Sequence, residues 1–144
     1  MTTIDSLFEL ATELRDNGQF DHSTKVLSKI LDDYPNDKDL WKVYTILGSV
    51  NSNLEQNQIA TENFKKATEL NPDSELASLG LYVTLASLDK DIDAIEELKR
   101  FLKSHPAKLY KDTLEELLDG LTKGFMTNYK DDITALARSN GFMI

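Results

Sequence analysis

Cysteine is absent from the 144 residues, which excludes disulfides, thiolate metal sites and a cysteine nucleophile. Histidine occurs only at His22 and His105, and both read as solvent-facing residues near turns. Cations are scarce: 16 Lys and Arg stand against 25 Asp and Glu, a net charge of -9. Such a chain lacks the clustered Lys and Arg that hold a nucleic-acid backbone or an anionic membrane surface. It suits solubility and basic partners. No long hydrophobic run is present. The most apolar stretch, Leu76 to Leu88, contains Ser78, Thr84 and Ser87 and falls short of the ~20 residues of a membrane span. The first cation is Arg15, so the start has no basic leader region, and a soluble cytoplasmic protein is expected.

Catalytic and cofactor motifs are missing as well. HExxH, GxSxG, GxGxxG and GxxxxGK[ST] do not occur, and no strand precedes Gly120 and Gly124 to make a phosphate loop. Asp89-Lys90-Asp91-Ile92-Asp93 has the rhythm of a calcium loop, but Ala94 stands where that loop needs Gly and Arg100 where it needs Glu. Helix capping explains these aspartates better, with Asp91 as N-cap and Asp93 in the first turn. Neither an enzyme nor a cofactor or metal is expected.

What the chain does have is repetition. The three prolines, Pro35, Pro72 and Pro106, each close a stretch with helical periodicity. Counted back from them, one pattern returns. Leu7, Leu10, Ala11 and Leu14 precede Ser23, Leu27 and Ile30. Tyr44, Leu47, Gly48 and Asn51 precede Ala60, Phe64 and Ala67. Ser78, Leu81, Tyr82 and Leu85 precede Ala94, Leu98 and Phe101. Leu114, Leu117, Leu118 and Leu121, followed by Tyr129, Ile133 and Leu136, form a weaker fourth unit. Spacings of i, i+3, i+4 and i+7 make one face of a first helix, and i, i+4 and i+7 the facing stripe of a second. Asn17-Gly18, Asp89-Lys90-Asp91 and Gly124 supply turns between them. Eight helices, no sheet and one domain over residues 1–144 are predicted, with units at about 4–37, 41–74, 75–107 and 108–140. Glu62–Lys66 and Glu96–Arg100 read as exposed i,i+4 pairs.

At these positions the sequence resembles the tetratricopeptide repeat family, whose unit carries an aromatic, Leu-Gly, Ala-x3-Phe and a closing Pro. The second unit matches best, through Tyr44, Leu47, Gly48, Ala60, Phe64, Ala67 and Pro72. It departs at Asn51, where the family has an aromatic, and a buried Asn there needs a hydrogen-bond partner. The resemblance implies an all-α, right-handed superhelical solenoid of about four helical hairpins, three true units and a degenerate capping pair.

It also implies a concave groove lined by first helices. By helical phase the groove positions are Asp5, Phe8, Thr12 and Arg15; Lys42, Thr45, Ser49 and Ser52; Leu76, Leu79, Val83 and Ala86; and Asp112, Glu115 and Asp119. Some family members hold a chaperone's terminal carboxylate with Lys, Arg and Asn on these faces; Thr45, Ser49, Leu79 and Val83 argue against that clamp here. The third first-helix is apolar nearly all round, so either the stack and the tail Phe142-Met143-Ile144 cover its far side or a partner does. Trp41 is assigned to packing on the preceding hairpin. The function expected is a non-enzymatic interaction scaffold whose partner offers an apolar anchor beside a basic segment, the acids Asp112, Glu115 and Asp119 facing that segment. The alternatives are an acidic chaperone, or an immunity-type inhibitor masking a basic toxin or secreted substrate.

Overall fold

The structure, a computed structural model, describes residues 3–144. Among these residues the chain is all-helical, with no strand: α1 (Ile4–Asp16), α2 (Phe20–Asp33), α3 (Leu40–Asn53), α4 (Asn57–Leu70), α5 (Glu75–Ser87), α6 (Asp91–Leu102), α7 (Tyr110–Thr122) and α8 (Lys130–Ser139), with a single 3-10 turn before α8. Neighbouring helices pack in sequence order. No helix among the described residues is long and apolar enough to cross a membrane.

The turns follow one design. At the ends of α1, α3, α5 and α7 a left-handed residue is followed by an amide that bonds back five residues: Gln19 to the Leu14 carbonyl, Gln56 to Asn51, Lys90 to Leu85 and Phe125 to Gly120. This geometry satisfies carbonyls that the helix end leaves open and, after α1, α3 and α5, turns the chain sharply into the next helix. Gly18 and Gly124 take the left-handed position without cost; Glu55 and Asp89 hold it at φ near 60° despite their side chains. Sequence reading marks Gly18, Asp89 and Gly124 as turns but passes over Glu55. The N-cap of α6 is Lys90, with no side-chain bond, and Asp91 is its first residue, so Asp91 is not the cap. Asp93 does lie in the first turn, favourably for the helix dipole.

The predicted small residues sit where helices cross. Ala11, Ala60 and Ala67 are fully buried. A Cβ built on Gly48 meets the Phe64 ring at 2.8 Å, and one built on Gly80 meets it at 2.3 Å. Phe64 of α4 therefore packs directly against the backbones of both α3 and α5. The apolar interior divides at this seam, into a cluster built on α1–α3 and one running from α4 to α8. α3 lies beside α1 and then beside α5. α7 does not come equally close to α5; Tyr82 and Tyr110, edge to face at 6.0 Å, fill the space between them.

Two polar devices fasten the C-terminal helices, and neither leaves a local signal in the sequence. Glu75 at the start of α5 accepts from the amides of Lys108 and Tyr110, at 2.9 and 3.0 Å. It thus caps α7, which has no local side-chain cap. Asn140 Oδ1 accepts from the Ala107 amide at 2.7 Å. Phe142 packs on the C-terminal cluster, whereas Met143 and Ile144 are exposed.

Arg100 forms its ion pair with Glu97, not with Glu96, which instead approaches Lys99. Glu97 points inward, one helical step away, and burial makes it the stronger partner. No ion pair joins Glu62 to Lys66 among the described residues. His22 is exposed as expected, but His105 is half-buried, stacked on Phe101 at 4.4 Å and 3.1 Å from Asp73. Asn51 has the partner it needs, the Leu47 carbonyl at 3.0 Å.

Candidate functional site

Most of the first-helix residues singled out by phase on α1, α3 and α5 line two pockets, but Asp5 and Ala86 line neither. A pocket of about 250 Å³ between α1 and α3 is lined by Phe8, Thr12, Arg15, Trp41, Lys42, Thr45, Ile46 and Leu76. A second, of about 220 Å³ between α3 and α5, takes in Arg15, Thr45, Ser49, Ser52, Asn53, Leu76, Leu79 and Val83. Arg15, Thr45 and Leu76 belong to both, so the two pockets form one groove across three helices. The groove exists because of the seam below it. Gly80 has no side chain to fill the gap between α3 and α5, and the Phe64 ring forms the floor there.

The walls are apolar on the α5 side and hydroxyl-bearing on the α3 side. Leu76 and Val83 are 55% and 46% exposed, and Leu79 between them is half-buried. The far side of α5 is thus open: neither the neighbouring helices nor the C-terminal residues cover it. Phe8 and Thr45 are buried and contribute floor rather than grip; the Thr45 hydroxyl is already committed to the Trp41 carbonyl at 2.8 Å. Thr12 and Ser49 are half-buried along the walls. Trp41 is half-buried and helps line the groove, with the Lys42 ammonium 5.8 Å from its ring and 5.6 Å from that of Phe8. Asp112, Glu115 and Asp119 are exposed on α7 and line neither pocket. Asp119 is occupied with Lys123 at 2.9 Å.

A larger cleft, about 520 Å³, opens between α4 and α6 over Leu81 and Leu85. Its rim mixes Glu62, Lys65, Asp93, Glu96 and Arg100. Beneath the same region lies a buried polar network. Glu97, 8% exposed, accepts from Arg100 through both oxygens, at 2.8 and 2.7 Å, and from the Ser78 hydroxyl at 2.6 Å. Because its hydroxyl hydrogen is donated to Glu97, Ser78 accepts from the Tyr110 hydroxyl at 2.7 Å. Arg100 also reaches the Pro72 carbonyl at 3.1 Å. Burial pushes the Tyr110 phenol well above the ordinary range. The network spans α5, α6 and α7 with its partners matched, which is the arrangement of a structural clasp. Sequence reading missed it, because Ser78, Glu97 and Tyr110 are far apart in the chain and Glu97 reads as one more exposed acid.

No group of three or more His, Asp or Glu among the described residues could hold a metal ion. No protein-family model matches the chain, and no curated protein matches it.

Proposed function

We propose that this chain is a non-enzymatic protein-interaction module, a tetratricopeptide-type right-handed solenoid of about four hairpins that takes a segment of a partner protein across α1, α3 and α5. The observation carrying the proposal is the open apolar wall of α5, where Leu76 and Val83 stand exposed above a floor of buried Phe64. Contiguous exposed apolar surface in a groove marks a binding site rather than a solvated face. The recurring left-handed turns at Gly18, Glu55 and Asp89 support the repeat reading, since they give three successive helix pairs the same entry geometry. The module works in the cytoplasm on this reading, without nucleic acid or membrane.

Affinity capture with the full chain and with Val83→Glu, compared by mass spectrometry, tests it. The variant should lose the captured partner while circular dichroism stays helical, because Val83 lies on the surface. Identical captures by both proteins would refute the groove.

A second reading, masking of a basic partner by a chaperone or inhibitor, is favoured by the outer edge of α1. There Glu9, Glu13 and Asp16 line a shallow recess with no cation. Loss of capture on neutralising these three, with Val83→Glu silent, would establish that reading instead.

A further inference from the structure

We infer that the segment held in the α1–α3–α5 groove carries an internal Asp or Glu side chain between apolar anchors. The inference rests on the groove reading above and reverses the partner charge that composition suggests. The chain has a net charge of -9, yet among the described residues the only charged ones lining the two groove pockets are Arg15 and Lys42. Local lining, not net charge, decides which group is stable in a cleft, because an unpaired or like charge is penalised most where water is displaced.

Both cations retain capacity toward the groove. Asp16 accepts from Nε and one terminal nitrogen of Arg15 through a single oxygen, at 3.1 and 2.9 Å. The other terminal nitrogen has no protein partner among the described residues. Lys42 is 3.8 Å from Asp39, too long for a hydrogen bond, and its ammonium otherwise faces aromatic rings. Neither Asp16 nor Asp39 lines the groove pockets.

The neighbouring surface limits where the carboxylate sits. Outside α1 the edge turns acidic, so a carboxylate is favoured only in the strip between α1 and α3. Leu76 and Val83 lie to the α5 side of that strip and take the apolar anchors. A bound Lys or Arg in the strip would be juxtaposed with Arg15 and Lys42 and disfavoured.

A random-peptide display library, its peptides fused at their C-termini so that no free terminal carboxylate is offered, tests the inference against the immobilised full chain. A synthetic peptide of the enriched sequence is then titrated by fluorescence anisotropy. Enrichment of Asp or Glu flanked by apolar residues is expected, with affinity falling as salt rises. Arg15→Gln together with Lys42→Gln should weaken the peptide about ten-fold or more, the scale of lost charge-assisted bonds. Val83→Glu should abolish binding. Enriched peptides that are basic or uncharged but still lost with Val83→Glu overturn the carboxylate inference and leave the groove reading standing. Peptides indifferent to Val83→Glu, or no enrichment at all, overturn the groove reading and the inference with it.

Discussion

Gly80→Ala sets two effects of opposite sign against each other at one atom. Gly80 lies inside α5, where Ala is favoured over Gly by about 1 kcal/mol on helix propensity alone. The added Cβ, however, falls 2.3 Å from Cε1 and 2.6 Å from Cδ1 of Phe64. Ordinary carbon contacts lie near ~3.5–4.0 Å, so the ring must retreat by more than ~1 Å. It has little room, since the same ring lies against Gly48 on α3 and is buried. Overpacking of this kind costs about 1–3 kcal/mol, and at so close an approach the upper half applies. The net expectation is a loss of about 1–2 kcal/mol, or ~2–8 °C in Tm for a chain of this size. Urea unfolding followed by far-ultraviolet circular dichroism measures it. The decisive control is Phe64→Leu, which destabilises by itself but removes the ring edge. In that background Gly80→Ala should become neutral or stabilising, by up to ~1 kcal/mol, as propensity acts unopposed. A single Gly80→Ala variant as stable as wild type, or a cycle additive to within about 0.5 kcal/mol, would refute the claim that Phe64 packs on the α5 backbone. Gly48→Leu tests the α3 side and should destabilise further, since it adds a whole side chain at a position already 2.8 Å from the ring.

Three further outcomes are expected. Glu55→Gly and Asp89→Gly should each stabilise by about 0.5–1 kcal/mol in urea melts, because both residues hold left-handed backbone that glycine adopts freely; Gly18→Ala should do the reverse. Ser78→Ala should cost about 1–3 kcal/mol, since it strands the Tyr110 hydroxyl, and adding Tyr110→Phe should recover part of the loss. Alkaline unfolding should track tyrosine ionisation. Burial raises the Tyr82 phenol from 10.0 to about 12, and Tyr110 is raised in the same sense. The folded state then favours the neutral phenols, so their contribution is complete below about pH 10 and lost as pH climbs toward 12. Spectrophotometric titration should show Tyr82 and Tyr110 ionising late and together with the loss of helix; their ionisation near pH 10 in a folded chain would contradict it.

Periodicity alone fixed the helices. Apolar spacing of three and four residues names a buried face whatever it packs against, and Leu27, Ile30, Leu98 and Ile133 are fully buried as that spacing requires. Proline and glycine mark boundaries through the backbone itself, so Pro35, Pro72 and Gly18 were readable without any partner. Phase further told which residues of α1, α3 and α5 share a face, and Thr12, Ser49, Leu79 and Val83 do meet in one groove. Tertiary structure decided the rest, because contacts between distant segments leave no local trace. That Glu97 turns inward depends on the Ser78 hydroxyl meeting it from α5. That α7 begins where it does depends on a carboxylate from α5. The charge of the groove lies in the same category. Composition counts every acid equally, whereas packing sends Asp16 and Asp39 outside the pockets and leaves Arg15 and Lys42 lining them. A net charge is a sum over the whole surface, and a binding site samples only the few residues that the fold brings to it.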